Sequence, residues 1–246
     1  MKDAVRSSFV YPILDRDVCL KRGVDILSPP LLWRSLGLRY FQLRAKGISP
    51  EEYLELAQTL KNSFPELLLL ANDFARTALA NRDVFAGLHL GQEDFAALSP
   101  ELSAALRDIQ NDPRGNFITG ISTHDFNQFS SAATGRTASK GSGYSWTYAA
   151  LGPIAPTASK PGGTDPVLTP EKREEIFQYY AKLEADTSKA RDIPVMVLIG
   201  GLDEVAAYPY ITKEFKNQYG FSPVPAMIAA SLSEASLRKI LDAAGK

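Results

Sequence analysis

Three polar side chains alternate with apolar residues in the segment Gln42-Leu-Arg44-Ala-Lys46. Successive side chains of a β-strand point to opposite faces, so in a strand these three groups share one face. A guanidinium can grip phosphate oxygens through two parallel hydrogen bonds, and an ammonium adds a compact positive charge. Arg44 and Lys46 therefore suit a diphosphate, while a solvated strand end is the other interpretation of the segment.

Carboxylates follow the next two apolar runs of the chain. Asp73 comes directly after Asn72, and Asp94 lies just beyond Gly87-Leu-His-Leu. Beside cationic phosphate ligands, carboxylates would repel a phosphorylated substrate unless a hard cation such as Mg²⁺ lay between them. We therefore predict Asp73 and Asp94 as magnesium ligands, with Glu93 as a weaker rival to Asp94. The alternative for Asp73 is a helix N-cap.

Histidine and cysteine, which often carry chemistry, receive structural interpretations here. His89 is flanked by Leu88 and Leu90, which favours a hydrogen-bonded core histidine over a metal ligand. Cys19 is the single cysteine, so the chain can form neither an intramolecular disulfide nor a multi-cysteine zinc site. We expect Cys19 to be an ordinary structural residue.

The segment from Gly152 to Gly163 combines the properties of an anion-binding loop. Its glycines allow backbone N–H groups to approach a phosphate, Thr157 and Ser159 add hydroxyl donors, and Lys160 adds charge. The segment lacks the Gly-x-x-x-x-Gly-Lys-Ser/Thr spacing of a nucleotide P-loop. A surface turn is the alternative interpretation.

Short apolar runs of strand length alternate with amphipathic stretches about eight times, which indicates βα units. Helices are predicted to begin where a hydroxyl precedes Pro-Glu, at Ser49, Ser99 and Thr169. Periodicity alone leaves open a closed (β/α)₈ TIM barrel and a doubly wound sheet. The predicted strands are Phe9–Asp15, Arg39–Arg44, Leu67–Asn72, Gly87–Leu90, Phe117–Ser122, Tyr148–Ile154, Val195–Gly200 and Ala226–Ala230.

Polar or small residues also follow the last two predicted strands. Gly200-Gly201 and Ala230-Ser231 occupy the positions at which barrel enzymes often bind phosphate through backbone amides. Two stretches exceed a minimal barrel, Thr134–Thr147 after strand 5 and Ala206–Pro225 after strand 7. We interpret both as extended loops or added helical turns, with surface structure favoured over a special function.

Size and composition limit the classes of protein that the chain can belong to. It has 246 residues, 45% of them hydrophobic and 22% charged, with no linker between candidate halves, so we expect one domain over residues 1–246. The net charge of −1 argues against general attraction to nucleic acid or to an anionic membrane. No N-terminal run is long enough for a membrane span or a signal peptide, which predicts a cytoplasmic protein. Association into a homo-oligomer stays open.

Taken in chain order, the motifs resemble the thiamine phosphate synthase family over most of the chain. This resemblance implies the closed barrel, and the matching motifs are Gln42-Leu-Arg-Ala-Lys46, Asn72-Asp73, Gly87-Leu-His-Leu-Gly-Gln-Glu-Asp94, Gly120-Ile-Ser-Thr-His124, Gly152-Pro-Ile through Lys160, and Ile199-Gly-Gly-Leu202.

The resemblance also implies a role for each matching residue. Asp73 and Asp94 would bind Mg²⁺, and Ser122 would lie near the pyrimidine and the leaving group. The residues expected to hold 4-amino-2-methyl-5-hydroxymethylpyrimidine diphosphate are Gln42, Arg44, Lys46, Asn72 and Lys160. Those expected to receive the phosphate of 4-methyl-5-(2-hydroxyethyl)thiazole phosphate are Thr157, Ser159, Gly201 and the backbone around Ala230 and Ser231.

The implied reaction needs no protein nucleophile. Diphosphate would leave a stabilised pyrimidine methylene cation, and the thiazole nitrogen would attack to give thiamine phosphate. Arg44, Lys46 and Lys160 would stabilise the charge developing on the leaving group, with Ser122 as the fourth expected catalytic residue. The chain departs from the family pattern at Ser159, at Ala155, in the eighth strand and in its two long insertions.

Two other functions fit the same sequence features. A related thiazole tautomerase would use a histidine such as His124 for proton transfer. The second alternative is a catalytically silent barrel, which binds thiamine precursors as a regulator or scaffold. An isomerase that acts on a monophosphate has no diphosphate to bind. The joint presence of five residues therefore favours the synthase: Gln42, Arg44, Lys46, Asp73 and Asp94.

Overall fold

A closed barrel of parallel β-strands forms the centre of the molecule, a computed structural model that describes residues 2–112, 115–135, 143–156, 166–186 and 193–245. The strands pair in chain order and the last pairs with the first, so the sheet has no open edge. This confirms the predicted (β/α)₈ TIM barrel. The strands are β1 Tyr11–Asp15, β2 Tyr40–Arg44, β3 Leu68–Asn72, β4 Gly87–Leu90, β5 Ile118–Thr123, β6 Tyr148–Leu151, β7 Val195–Leu198 and β8 Val224–Met227.

Helices join successive strands around this barrel. The hydroxyls of Ser49, Ser99 and Thr169 cap three of them as predicted, each accepting a hydrogen bond from a backbone N–H of the first turn. Within the described residues, no helix combines the length and apolar character that crossing a membrane requires. The helices are α1 Lys2–Arg6, α2 Arg16–Arg22, α3 Ser28–Ser35, α4 Pro50–Ser63, α5 Ala75–Ala80, α6 Gln92–Ala96, α7 Pro100–Gln110, α8 Phe126–Ala133, α9 Pro170–Ala185, α10 Glu204–Ile211, α11 Lys213–Tyr219 and α12 Glu234–Ala243.

The eighth strand starts two residues earlier than predicted. Val224 and Pro225 pair with β7, and Ala226 and Met227 pair with β1. Proline lowers the sequence signal for a strand because it cannot donate a ladder hydrogen bond, but this short strand accommodates Pro225. The chain then forms a 3-10 helix over Ala230–Leu232, so the expected strand end at Ala230 is corrected to a helical turn.

Two separate apolar clusters stabilise the fold. The larger lies between the strands and the surrounding helices, and the smaller fills the interior of the barrel. Aromatic side chains dominate the interior: Tyr11, Tyr40 and Tyr148 are each 1% exposed. Bulky interior side chains make the barrel a packed core with space for ligands only near its ends.

Gly120 of β5 leaves room for the ring of Tyr148 in the barrel interior. A Cβ atom at this position would lie 1.9 Å from Cζ of Tyr148, which is far inside van der Waals contact. Gly120 and Tyr148 face each other in the register of β5 and β6. The glycine therefore allows the tyrosine ring to cross the interior of the barrel.

The stretch Ala206–Pro225 contains most of α10, all of α11 and the start of β8. The helical-turn interpretation of this stretch is therefore the correct one. Phe215 and Phe221 are each 7% exposed and pack with Phe177 of α9 at ring distances of 5.3 and 6.4 Å. The added segment is thus attached to the body of the barrel through an aromatic core.

Candidate active site

A cavity of about 320 Å³ opens at the C-terminal ends of the strands. Its wall combines residues from all eight strands or the segments that follow them, so residues distant in the chain meet here. The lining residues are Tyr11, Ile13, Gln42, Arg44, Lys46, Asn72, Asp73, His89, Gly91, Asp94, Ser122, His124, Tyr148, Ala150, Pro153, Ala155, Pro156, Val167, Val197, Ile199, Gly200, Ala226 and Ile228.

Arg44 supplies positive charge to one side of this cavity. Its guanidinium forms an ion pair with the carboxylate of Asp15, which is 2% exposed and lies opposite Arg44 in the register of β1 and β2. The Arg44 side chain itself is 14% exposed. Because its counter-ion is buried, Arg44 is held at the cavity wall rather than extended into solvent.

Lys46 and two carboxylates continue the wall beyond β2. Lys46 Nζ lies 3.7 Å from Oδ2 of Asp73, and Asn72 Nδ2 donates a hydrogen bond of 3.2 Å to Oδ1 of the same carboxylate. Burial and, to a lesser extent, the negative charge of Asp94 raise the pKa of Asp73 to about 6, against the opposing effect of Lys46. Two carboxylates in contact disfavour each other's charge, and a cation would relieve this.

The backbone at Asp73 has an unusual conformation. Its φ of 69° lies in the left-handed region, which non-glycine residues rarely adopt, and its N–H donates to the carbonyl oxygen of His89 at 2.9 Å. Asp73 does not cap α5, because Phe74 is the N-cap residue and no side chain caps this helix. The N-cap interpretation of Asp73 is therefore wrong.

The donor set formed by Asp73 and Asp94 fits a hard cation that keeps water and substrate oxygens as ligands. Mg²⁺ is commonly bound by one or two carboxylates together with phosphate oxygens. Among the described residues, no group of three or more His, Cys, Asp and Glu side chains is arranged to hold a metal ion. A cation at this pair would therefore take the rest of its coordination from water and substrate oxygens.

A chain of buried hydrogen bonds forms the floor of the cavity. Gln42 Nε2 donates to Tyr11 Oη at 3.2 Å, and Tyr11 Oη lies 2.7 Å from Tyr148 Oη. His89 continues the chain, with Nδ1 at 2.9 Å from Tyr148 Oη and Nε2 at 3.0 Å from Ser122 Oγ. The core-histidine interpretation of His89 is confirmed, yet the residue also lines the cavity.

Burial keeps the tyrosines of this floor in their neutral form. Desolvation raises the pKa of Tyr11 and of Tyr148 well above the ordinary tyrosine value. Both hydroxyls therefore keep their protons at physiological pH. They can donate hydrogen bonds to a polar heterocycle or to their neighbours in the chain.

The backbone that follows β6 packs closely against the end of β7. Ala155 N–H donates to the carbonyl oxygen of Gly200 at 3.0 Å. Gly201 has a φ of 67°, and a Cβ atom there would lie 2.4 Å from the carbonyl oxygen of Pro156. The close packing of these two backbone segments therefore requires glycine at both positions, independently of any role in ligand binding.

The end of β8 differs from the expected phosphate contact. Ser231 Oγ donates to the carbonyl oxygen of Ile228 at 2.7 Å, and the Ser231 carbonyl accepts from Trp33 Nε1 at 2.7 Å. Ser231 is completely buried. At this end of the barrel Ile228 lines the cavity, whereas Ala230 and Ser231 do not.

The structure brings together most of the site residues predicted from the sequence. Gly201, like Ala230 and Ser231, lies next to the lining rather than in it. Thr157, Ser159 and Lys160 lie outside the described residues. The predicted residues that line the cavity are Gln42, Arg44, Lys46, Asn72, Asp73, Asp94 and Ser122.

Sequence reasoning missed Asp15 and the tyrosines of the floor. Asp15 ends the first apolar run, at the same strand end as Arg44, and this shared position was the available signal. The sequence predicts Tyr11 and Tyr148 as apolar core residues of strands. Their spacing does not distinguish a hydrogen-bonded interior tyrosine from an ordinary core aromatic residue.

The fold and the cavity define a (β/α)₈ barrel protein whose site combines cations, paired carboxylates and a polar floor at the C-terminal ends of the strands. Barrel enzymes build their active sites at this end. The family model described as thiamine monophosphate synthase matches residues 10–215. The chain belongs to this family.

Individual relatives agree with the family. The thiamine-phosphate synthase of Arthrobacter sp. (strain FB24) is 31% identical over 126 residues, which are 51% of this chain and 48% of the relative. That of Coprothermobacter proteolyticus is 32% identical over 154 residues, 62% of this chain and 63% of the relative. The chain thus spans about half the length of the first curated relative it matches and less than two thirds of the second.

A solved structure supports the fold independently of these alignments. The thiamine phosphate pyrophosphorylase from Pyrococcus furiosus superposes on this chain with a TM-score of 0.62. The superposition covers 99% of this chain and 95% of the Pyrococcus chain. The sequence identity is 21%, so this likeness carries the barrel architecture alone.

Proposed function

We propose that the protein is a thiamine phosphate synthase, a transferase that couples hydroxymethylpyrimidine diphosphate to hydroxyethylthiazole phosphate and releases diphosphate. One observation carries this proposal. Two cations, Arg44 and Lys46, line the same cavity as the carboxylates Asp73 and Asp94. A monophosphate needs no such combination, whereas a diphosphate with Mg²⁺ uses all four groups.

The donor chemistry supports Mg²⁺ as the cofactor. Asp73 and Asp94 would hold the ion, and bound Mg²⁺ would neutralise charge on the diphosphate as it leaves. Asn72 donates to Asp73 and so orients that carboxylate. Lys46 lies beside it and can reach a diphosphate oxygen on the cavity side.

The chain's own residues promote departure of the leaving group by electrostatics and positioning. The bond between the pyrimidine methylene carbon and the diphosphate oxygen breaks, and both electrons leave with diphosphate. Arg44, Lys46 and Lys160 stabilise that negative charge. The thiazole nitrogen then donates its lone pair to the methylene cation, so a C–N bond forms without proton transfer or a covalent enzyme intermediate.

The buried floor suits the aminopyrimidine part of the substrate. Ser122 Oγ, held by His89, and the amide of Gln42 both line the cavity and can hydrogen-bond a heterocycle. We assign Gln42 and Ser122 to this ring, and Arg44, Lys46, Asn72 and Lys160 to the diphosphate. Fixed polar groups hold the reacting carbon in place while the charge separates.

We place the acceptor at the ends of β6, β7 and β8. Its phosphate would be held by Thr157, Ser159, Gly201 and the backbone around Ala230 and Ser231. Because the Ser231 hydroxyl donates to the Ile228 carbonyl, we assign the contact there to backbone amides. We further propose that residues 1–246 act as one barrel domain in the cytoplasm.

A coupling assay with both isotope-labelled substrates and Mg²⁺ tests the proposal. Formation of thiamine phosphate together with inorganic diphosphate is the expected result. Tautomerisation of a thiazole phosphate alone would favour an isomerase that uses His124, which also lines the cavity. Binding of the substrates without turnover would instead identify a precursor-binding barrel.

A further inference from the structure

The side chain of Arg173 joins two segments that are distant in the chain. Its Nη1 donates to the carbonyl oxygen of Ile154 at 3.3 Å and to the hydroxyl oxygen of Tyr210 at 2.6 Å. The guanidinium carbon also lies 5.9 Å from the centre of the Tyr210 ring. Arg173 belongs to α9, so it connects the backbone after β6 with the added helix α10.

Residues 152–156, here called the β6 loop, form one wall of the cavity. Pro153, Ala155 and Pro156 line the cavity directly. On one side the loop is held by the residue that follows β7, because Ile154 N–H donates to the Ile199 carbonyl at 2.9 Å. Arg173 holds the carbonyl of the same residue, Ile154, which is 3% exposed. Since a buried carbonyl requires a partner, loss of Arg173 would favour a shift of this part of the wall, while the backbone hydrogen bonds to Ile199 and Gly200 still attach the loop.

The position of Tyr210 is itself fixed by the added helices. Phe177 of α9 packs against Tyr210 at a ring distance of 5.8 Å and against Phe215 of α11 at 5.3 Å. The Tyr219 hydroxyl donates to the Glu174 carboxylate, next to Arg173 on α9. The added segment therefore forms a rigid support for the guanidinium.

We propose that Arg173 is a positioning residue that couples the α10–α11 segment to the β6 loop and thereby sets the affinity for the phosphate-bearing acceptor. This inference rests on the proposed synthase function. It assigns a role in substrate binding to a helical segment that contributes none of the lining residues of the cavity.

The geometry of the barrel makes the expected effect larger for one of the two substrates. Arg44 lies on β2, and Asp73 and Asp94 follow β3 and β4, whereas the β6 loop adjoins β7. In a closed barrel of eight strands, β2 and β6 are on opposite sides. Displacing the β6 loop therefore acts mainly on the acceptor side. Of the residues assigned to the diphosphate, Lys160 alone follows this loop in the sequence, so the diphosphate side is affected less.

Steady-state kinetics with each substrate varied in turn tests this role. Arg173→Met keeps most of the side-chain length but removes both hydrogen bonds. We expect it to raise KM for the thiazole phosphate about tenfold, since hydrogen bonds of a charged group carry this order of free energy. KM for the pyrimidine diphosphate should rise by a clearly smaller factor, because Arg44, Lys46 and Asn72 lie on the opposite side of the barrel.

Two more variants separate positioning from general stability. Tyr210→Phe keeps the ring but removes one acceptor, and it should raise KM for the thiazole phosphate about threefold. Arg173→Lys keeps the charge with a different donor geometry and should recover part of the affinity lost in Arg173→Met. Tyr208→Phe is the matched control on the same helix, because this tyrosine is 58% exposed and should behave as the wild type.

The possible outcomes test the role of Arg173 separately from the synthase activity. Unchanged thiazole-phosphate KM in Arg173→Met, or equal increases for both substrates, would overturn the role of Arg173. A lower unfolding midpoint with unchanged KM values would show a purely structural role and would also overturn it. If the wild type forms no product, the synthase proposal fails, and calorimetric binding of thiazole phosphate to wild type and Arg173→Met still tests the inference.

Discussion

The buried Asp15 carboxylate pairs with the Arg44 guanidinium across β1 and β2, where the two residues face each other in the parallel register. The other carboxylate oxygen of Asp15 accepts from Val18 N–H at 3.0 Å and caps α2. The Asp15 side chain therefore both holds the Arg44 guanidinium in the site and caps the N-terminus of α2. Its two tasks can be separated by substitution.

Asp15→Asn should destabilise the protein by about 3 kcal/mol. The substitution removes the buried carboxylate that pairs with the largely buried Arg44 guanidinium, and breaking a buried ion pair on one side costs energy of this order. The amide oxygen of asparagine can still cap α2, because Asn is as good an N-cap as Asp. Urea unfolding at neutral pH measures the change. A loss below 1 kcal/mol would mean that Arg44 does not depend on Asp15.

Two further variants complete this comparison. Asp15→Ala loses the cap as well and should cost about 1 kcal/mol more than Asp15→Asn. Glu66→Gln breaks the ion pair of Arg34 and Glu66, whose side chains are 46% and 42% exposed. Exposed pairs contribute little, so this control should change stability by less than about 0.5 kcal/mol.

Tyr148→Phe and Tyr40→Phe should change the free energy of unfolding differently, although both residues lie in the barrel interior. Tyr148 Oη bonds Tyr11 and His89, so its removal takes one hydrogen bond from each of two buried polar side chains and should cost about 1–3 kcal/mol. Tyr40 Oη is buried without a hydrogen-bond partner among the described residues. Tyr40→Phe should be neutral or stabilising, and equal losses in urea unfolding would refute this distinction.

The alternation of apolar runs and capped helices predicted the repeating βα units, and family resemblance then favoured the closed barrel. Polar residues at strand ends were recognised because parallel strands end on one side of a barrel, which is why Arg44, Asn72 and Asp73 meet at one cavity. These polar residues could be predicted because each one is identified by its position next to a strand in the sequence.

The features that sequence reasoning missed depend on contacts between strands. Asp15 acquires its role only when the register places it opposite Arg44. The hydrogen-bonded floor requires Tyr11 and Tyr148 to approach within 2.7 Å across 137 positions of sequence. The prediction for β8 began two residues late because Pro225 weakens the local strand signal. In the structure, pairing with β7 and β1 determines where the strand begins.

Gly120→Ala should be strongly destabilising, by at least about 2–3 kcal/mol, because the new methyl group would overlap the Tyr148 ring. In a Tyr148→Leu background the same substitution should cost much less, since the clashing ring atoms are gone. A double-mutant cycle measured by urea unfolding gives this coupling. Gly47→Ala is the control: a Cβ atom there meets nothing within 4 Å, so its cost of about 1 kcal/mol comes from φ alone and should not depend on Tyr148.

Asp94→Ala should greatly increase the Mg²⁺ concentration that the coupling reaction requires. Removing one of two carboxylates that hold the ion should cost at least about 1.4 kcal/mol of binding, which is a tenfold shift in the half-saturating concentration. The measurement is the initial rate against Mg²⁺ at saturating substrates. Glu93→Ala, which removes the adjacent carboxylate of α6, is the matched control and should leave the Mg²⁺ curve unchanged. An unaltered curve for Asp94→Ala would exclude Asp94 from the metal site, and a shift only in Glu93→Ala would transfer that role to Glu93.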